Sequence, residues 1–296
     1  MGTRGLNRRT LLQAGLAAGL LLAPFPALAS DDIASADTVL TAPDGRAVPV
    51  RITWPVRGSK RLPLLVFSHG ANGTLDGLVL IQRSLTRGRI VAAPRHPDSE
   101  ANPDLAKVDR TKVFGQRVAD MKLVLDASAG IERLTGKRID RTRIAAGGHS
   151  FGALIAQALG GAKVGAPAQD WRDARITRVV AFSPPGPIPG YAEAAGWAAM
   201  TVPQFVQTGT ADVVPMMAPQ WQAHMASFDA ASVRGSALWV GHGVDHYFGN
   251  RIQRLSRVAP DQGAAFARAV DLADAFLRGA LLVAPTDAVT ERLTVK

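Results

Sequence analysis

The chain of 296 residues contains no cysteine. This absence excludes disulfide bonds, thiolate metal sites and a cysteine nucleophile, so reactive chemistry must come from serine, histidine and carboxylate side chains. Aromatic residues make up only 6% of the chain, and they do not alternate with runs of basic residues. Because no nucleic-acid-binding motif is present either, a nucleic-acid partner is not expected despite the formal net charge of +10.

Long hydrophobic runs are also absent, and the strongly apolar stretch 14–22 is too short to cross about 30 Å of hydrocarbon. It follows a basic stretch containing Arg8 and Arg9 and precedes the small-residue sequence 27–29, which is the pattern of a cleaved signal peptide. The paired arginines resemble a twin-arginine export signal. We therefore expect residues 1–29 to be removed, leaving a periplasmic or secreted protein with no stable membrane anchor and a net charge of about +7.

The remaining residues, 30–296, have the length of a single α/β domain. Short apolar runs alternate with segments of helical periodicity, which is typical of parallel strands that are buried on both faces. The apolar runs are 64–67, 90–93, 144–146, 179–182, 205–206 and 237–240. The predicted helices are 75–86, 112–134, 151–161, 216–230 and 261–279. The pattern predicts a doubly wound, mostly parallel sheet, preceded by an antiparallel hairpin within 40–54.

A motif with distinctive chemistry is Gly148-His149-Ser150-Phe151-Gly152, between an apolar run and a helical run. A strand, a sharp turn and a helix in this order hold a serine hydroxyl above the sheet, and glycines allow the strand and helix to approach closely. Ser150 is therefore the predicted nucleophile. The alternative is a glycine-rich helix start in which Ser150 serves only as an N-cap, although that would not account for both glycines.

A serine nucleophile needs a base, and the chain has six histidines. His246 is the predicted base because it follows the last apolar run, in a glycine-containing loop that can fold back over the sheet. His242 is the nearest alternative, but flanking glycines and the lack of an H-E-x-x-H glutamate argue against a helical metal pair formed by these two histidines. His149 is expected to be a packed neighbour, and His96 and His224 to be surface or pocket-wall residues.

The acid that orients the histidine should follow a strand that comes after the serine. Asp212 meets this condition, because it directly follows the apolar stretch around Phe205. Asp229 lies in a helical pattern, and Asp245 is next to His246, where it is poorly placed to orient the ring. Asp212 is therefore the predicted acid, although an isolated loop aspartate can also be a simple turn residue.

Attack on an ester creates an oxyanion that backbone N–H groups can stabilise. The predicted donors are Phe151, which follows the serine, and Ala71, in the glycine-rich segment that follows the run 64–67. The alternative for that segment is a simple strand exit. His69 is expected to brace it, and the pocket candidates are His69, Tyr191 and Trp197.

Taken together, these motifs resemble the α/β-hydrolase-fold serine esterases, in particular the branch of platelet-activating-factor acetylhydrolase-like and dienelactone-hydrolase-like proteins. The resemblance extends over residues 60–250 and is carried by the segments 67–70, 91–94, 148–152, 209–212 and 245–248. It implies an α/β-hydrolase fold with a sheet of about eight strands, an acyl-enzyme mechanism and no cofactor. Dienelactone hydrolases proper use a cysteine nucleophile, which this chain lacks, so the resemblance favours the serine esterases.

The sequence thus predicts a serine hydrolase that cleaves carboxylic esters of small molecules with Ser150, His246 and Asp212, without a metal or cofactor. The same residues could act on amides, thioesters or polyesters, because one apparatus serves all acyl transfers. A non-catalytic binding protein with this fold would be indicated by a missing triad residue, and none is missing. The sequence does not predict an oligomeric state.

Overall fold

The structure is a computed structural model that describes residues 32–215, 218–282 and 290–296. The strands in these residues are β1 (Ile33–Thr41), β2 (Ala47–Pro55), β3 (Arg61–Ser68), β4 (Ile90–Pro94), β5 (Arg138–His149), β6 (Ile176–Phe182), β7 (Gln204–Ala211), β8 (Ala237–Asp245) and β9 (Glu291–Val295). The helices are α1 (Val79–Leu85), α2 (Val113–Asp126), α3 (Ser128–Thr135), α4 (Phe151–Leu159), α5 (Ala194–Ala198), α6 (Ala226–Ala230) and α7 (Gly263–Arg278).

All nine strands form one sheet in the order β1-β2-β4-β3-β5-β6-β7-β8-β9. The six strands from β4 to β8 in this order are parallel, whereas β1, β2 and β9 pair antiparallel with their neighbours. The predicted mostly parallel sheet is therefore confirmed. The predicted N-terminal hairpin is also present, but its first strand begins at Ile33 and not within 40–54. The ninth strand, β9, was not predicted, because a five-residue edge strand with one buried residue has too little apolar pattern to be identified.

Strand β3 shows why the central strands have unbroken apolar runs. Leu64 and Val66 pack on one face of the sheet with residues of α2 and α4, and Leu65 and Phe67 pack on the other face with residues of α1 and α7. All four side chains are almost completely buried. Because helices cover both faces, neither face of the strand can be polar.

Two predicted helices differ from the structure. The segment 112–134 forms α2 and α3, which are separated at Ala127, where the backbone leaves helical geometry (φ −74°, ψ 9°). The segment 216–230 contains a 3₁₀ turn, Trp221–Met225, followed by the short helix α6, and its residues 216–217 lie outside the described residues. The break at Ala127 is not marked by glycine or proline, so periodicity alone did not reveal it, whereas the second segment contains Pro219 two residues before the 3₁₀ turn.

The predicted signal peptide, residues 1–29, lies outside the described residues. None of the helices in the described part of the chain is long and apolar enough to cross a membrane. The parallel arrangement brings the carboxyl ends of β3, β5, β7 and β8 to one edge of the sheet, and four of the predicted site residues follow these ends: Ala71, Ser150, Asp212 and His246.

Candidate active site

Ser150 lies in a sharp turn between β5 and α4, with a positive φ of 53°. Its backbone N–H donates a hydrogen bond to the carbonyl oxygen of Phe182 in β6 (2.9 Å). A Cβ atom at Gly148 would lie 2.2 Å from the carbonyl oxygen of Gly152, and one at Gly152 would lie 2.1 Å from that of Ser68. Both distances are far below van der Waals contact, which confirms that this turn requires glycine at both positions.

The structure brings Ser150, His246 and Asp212 together in one hydrogen-bond chain. His246 Nε2 lies 2.9 Å from Ser150 Oγ, and His246 Nδ1 lies 2.7 Å from Asp212 Oδ1. The hydroxyl of Thr208 donates to Asp212 Oδ2 (2.7 Å), so the carboxylate is held from both sides. Asp212 is fully buried, His246 is 7% exposed and Ser150 is half-buried, so burial decreases from the carboxylate toward the hydroxyl.

A second histidine contacts the same carboxylate. His224 Nε2 lies 3.0 Å from Asp212 Oδ1, and its Nδ1 lies 2.6 Å from the carbonyl oxygen of Pro184. His224 is therefore a buried residue beneath the site, whereas the sequence predicted a surface or pocket-wall position. Burial alone would raise the pKa of Asp212, but the contacts of its carboxylate with His224 and His246 outweigh this effect and hold the pKa well below its usual value.

Among the described residues, one group of side chains has donor atoms close enough together to suggest a metal site, and it is Asp212, His224 and His246. The nitrogen–oxygen distances of 2.7 and 3.0 Å in this group are those of hydrogen bonds. Ligand atoms around a tetrahedral zinc ion with bonds of about 2.0 Å lie about 3.3 Å apart. The distances therefore fit a hydrogen-bonded cluster better than a coordination shell.

The two predicted oxyanion donors are at the ends of neighbouring strands. Phe151 begins α4 directly after Ser150, and Ala71 is an exposed residue in the loop after β3. Both line one crevice of about 390 Å³ beside the serine turn. The other lining residues are Asn72, Asp98, Arg110, Thr111, Val113, Phe114, Ala166 and Tyr191.

Of the pocket candidates, Tyr191 lines this crevice, and His69 and Trp197 do not. Trp197 is fully buried and donates its indole N–H to Gln157 (3.1 Å), so it is a core residue and its prediction as a pocket residue is wrong. His69 is also fully buried and contacts the carbonyl oxygen of Gly70 (2.7 Å). It braces the loop after β3 from beneath and does not contact the crevice.

Arg117 in α2 is a buried support of the same loop that the sequence did not identify. Its guanidinium donates to the carbonyl oxygens of His69 (2.6 Å) and Gly70 (3.0 Å) and to both carboxylate oxygens of Asp98 (2.8 Å each). The same group lies 4.6 Å from the ring centre of Phe151. Burial would raise the pKa of Asp98, but Arg117 outweighs it and holds the pKa well below the usual range. Arg117 thus anchors the segment that presents the backbone of Ala71.

His149 and Gln253 connect the loop after β3 to the segment that carries His246. His149 Nε2 donates to the backbone carbonyl oxygen of His246 (2.7 Å), and its Nδ1 contacts the side-chain amide of Gln253 (3.0 Å). That amide oxygen also accepts the backbone N–H of Gly70 (2.9 Å). Burial lowers the pKa of His149 to about 3, so it packs as a neutral residue. Gln253 comes from a loop beyond β8 and carries no motif that could have marked it.

A second chain of the same three residue types lies deeper in the molecule. Ser68 Oγ lies 2.9 Å from His96 Nε2, and His96 Nδ1 lies 3.0 Å from Asp120 Oδ2. All three side chains are fully buried, so His96 is not the surface or pocket-wall residue that the sequence predicted. Burial raises the pKa of Asp120 to about 7, even though Arg46 contacts the other carboxylate oxygen (3.0 Å).

Comparison with known proteins finds no family model and no curated protein that matches the chain. Solved structures do match. A protein assigned as a dienelactone hydrolase from Klebsiella pneumoniae has a TM-score of 0.59 at 17% identity, covering 81% of this chain and 97% of that one. EstE1, a carboxylesterase from a metagenomic library, has a TM-score of 0.58 at 17% identity, covering 84% and 90%. A hyperthermophilic esterase from Pyrobaculum calidifontis has a TM-score of 0.57 at 16% identity, covering 83% of each chain. The sheet order, the serine turn and these neighbours identify the fold as that of the α/β-hydrolases.

Proposed function

We propose that the protein is a serine hydrolase that cleaves carboxylic esters of small molecules through an acyl-enzyme intermediate. The observation that carries the proposal is the hydrogen-bond chain from buried Asp212 through His246 to the half-buried hydroxyl of Ser150. This chain ends beside the crevice lined by Ala71 and Phe151. The esterases that share the fold support the same conclusion. From the signal-like residues 1–29 we further propose that the protein acts in the periplasm or outside the cell.

In the first half of the reaction, Ser150 Oγ attacks the ester carbonyl carbon as His246 Nε2 accepts the hydroxyl proton. The Asp212 carboxylate stabilises the imidazolium that forms. Negative charge develops on the former carbonyl oxygen, where the backbone N–H groups of Phe151 and Ala71 donate hydrogen bonds. Collapse of the intermediate breaks the bond to the alcohol oxygen, which takes the proton from His246, and leaves the acyl group on Ser150.

In the second half, water replaces the alcohol. His246 accepts a proton from water as its oxygen attacks the acyl carbon, and returns the proton to Ser150 Oγ as the acid leaves. The crevice wall offers apolar contact for one part of the substrate, because Phe114 packs edge-to-face on Tyr191 (5.5 Å between ring centres) and close to Phe151 (6.1 Å). This lining favours an ester with an apolar or aromatic group over a highly charged one.

The decisive test compares two serine variants. Ser150→Ala should lower the turnover of a p-nitrophenyl ester by about 10⁴-fold or more and abolish labelling by a fluorophosphonate probe, because the nucleophile is removed. Ser68→Ala is the matched control, since Ser68 also contacts a histidine but is fully buried, and it should retain labelling. Labelling of the Ser150 variant at the wild-type rate would refute the proposed function.

A further inference from the structure

Each ring nitrogen of His224 lies within 3.0 Å of an oxygen atom. Nδ1 lies 2.6 Å from the carbonyl oxygen of Pro184, which can only accept a hydrogen bond. Nε2 lies 3.0 Å from Asp212 Oδ1, in ion-pair contact but without the alignment of a good hydrogen bond. The side chain is 1% exposed, so water cannot substitute for either partner.

A neutral imidazole carries one N–H group and one lone pair. In the position of His224, a neutral ring would place an unprotonated nitrogen close to an oxygen atom, either 2.6 Å from the carbonyl of Pro184 or 3.0 Å from the carboxylate of Asp212. Only the imidazolium form places an N–H group at both nitrogens, and at His224 this form is favoured because one of the two oxygens belongs to the ionised Asp212 carboxylate, whereas both oxygens beside His149 are neutral. The pKa of His224 is consistent with this form, because burial would lower it but the Asp212 carboxylate outweighs burial and raises it.

We propose that His224 is a positioning residue that remains protonated at neutral pH, and that its positive charge keeps Ser150 reactive down to mildly acidic pH. The protonation state of His224 is inferred from its contacts. The effect of that charge on Ser150 rests on the proposed hydrolase function.

The charge balance around Asp212 explains how a cationic His224 would affect the reactivity of Ser150. Its Oδ1 atom faces both imidazoles, and the rings of His224 and His246 are 5.5 Å apart between centres. If His224 carries one positive charge, it already compensates the carboxylate. A proton on His246 in the resting enzyme would then place two cations side by side in a buried site, which Coulomb repulsion disfavours.

The remaining groups near the two rings do not replace this charge. In the described part of the chain, the other titratable side chains whose rings contact His246 are those of His149, at the end of β5, and Tyr247. The charged side chains around Tyr247 are Asp245, Arg254 and Arg257. His149 is neutral because burial lowers its pKa to about 3. The Asp245 carboxylate accepts hydrogen bonds from the backbone N–H groups of Tyr247 and Gly249. The guanidinium carbon of Arg254 lies 3.9 Å from the ring centre of Tyr247.

The first experiment measures the rate of fluorophosphonate labelling of Ser150 from pH 4 to 9 in four proteins: wild type, His224→Gln, His224→Lys and His242→Gln. Loss of the cation in His224→Gln should move the acid limb of the profile upward by about one to two pH units. His224→Lys restores a cation and should move it back toward the wild-type position. His242 is an exposed histidine of β8, so His242→Gln should leave the profile unchanged. An unchanged acid limb in His224→Gln, or an equal loss of rate at every pH, would overturn the proposal.

The second experiment reads the protonation state of wild-type His224 directly and does not depend on catalysis. In ¹⁵N-histidine-labelled protein at pH 7, both ring nitrogens of His224 should carry protons in long-range ¹H–¹⁵N spectra, with the His224→Gln spectrum providing the assignment. A single protonated nitrogen would refute the inference even if Ser150 reacts normally. Conversely, failure of Ser150 to react at any pH would refute the proposed function, while the spectrum would still report the state of His224.

Discussion

The molecule contains two Ser–His–Asp chains with nearly equal hydrogen-bond distances. In the outer chain, Ser150, His246 and Asp212 are linked by distances of 2.9 and 2.7 Å. In the inner chain, Ser68, His96 and Asp120 are linked by distances of 2.9 and 3.0 Å. The difference lies in the surroundings. Ser150 is half-buried in a turn beside a crevice, whereas Ser68 ends a strand and is fully buried.

Charge also separates the two chains. Asp212 is surrounded by N–H and O–H donors, which keep it ionised, whereas burial raises the pKa of Asp120 to about 7. Ser68 Oγ also accepts a hydrogen bond from the guanidinium of Arg117 (3.4 Å), which stabilises the inner chain. A substrate has no access to Ser68, because its side chain is fully buried. The comparison teaches that three side chains at hydrogen-bond distance do not make a nucleophile. Access for the substrate and donors for its oxyanion are also required.

The largest expected effect comes from replacing the two carboxylates in turn. Asp212→Asn should lower kcat/KM for a p-nitrophenyl ester by about 10⁴-fold, because the amide cannot stabilise the imidazolium of His246 and favours the wrong tautomer. Asp120→Asn should change kcat/KM by less than about tenfold. Equal losses of kcat/KM in the two variants would show that the inner chain contributes directly to the reaction. The proposed difference in role between the two chains would then be wrong.

The second largest effect is expected at Arg117, which contacts Ser68 of the inner chain and the backbone of the loop after β3. Arg117→Met should lower the free energy of unfolding by about 3–5 kcal/mol, because Asp98 is left as a buried, unpaired charge. It should also lower kcat by about 10²-fold, with a smaller change in KM, since the backbone of Ala71 is no longer held. Urea unfolding and steady-state kinetics measure the two effects.

A double variant separates stability from positioning in this prediction. Arg117→Met combined with Asp98→Leu removes both charges and should recover much of the lost unfolding free energy, but kcat should stay low. Arg133→Met, at an exposed position of α3, is the control and should change neither quantity. Recovery of kcat together with stability would show that Arg117 supports the fold and not the loop geometry.

The last prediction is a pH dependence of stability that arises from Asp120 in the inner chain. The pKa of Asp120 is about 7 in the folded protein and about 3.8 in the unfolded chain, so the folded state binds more protons between these values. Its contribution is therefore fully present below about pH 4 and is lost as pH rises to about 7, by up to about 4 kcal/mol.

Buried neutral histidines in the same protein have the opposite trend, because the pKa values of His69, His96 and His149 are all lowered by burial. The contribution of Asp120 is therefore measured as the difference between wild type and Asp120→Asn in urea unfolding at pH 5 and pH 8. The wild type should lose stability relative to the variant as pH rises. A difference that does not change with pH would contradict the raised pKa.

Motif order identified the residues of the outer chain but not those of the inner one. Ser150 is marked by its glycines, and Asp212 and His246 by their positions after strands of a parallel sheet. Nothing comparable marks Arg117, whose place in an amphipathic helix is typical of an exposed arginine, or Gln253, which lies in a loop without a motif. Both become visible only when α2 and the loop beyond β8 pack against the segment after β3.

The sequence by itself determined the α/β architecture and the glycine-flanked serine turn, because apolar periodicity and steric exclusion of a Cβ atom are local properties. The tertiary structure decided which of the six histidines share a carboxylate, which serine a substrate can reach, and which charges are buried. These features depend on distances between residues that are far apart along the chain. Desolvation and charge pairing act through those distances, and no sequence pattern encodes them directly.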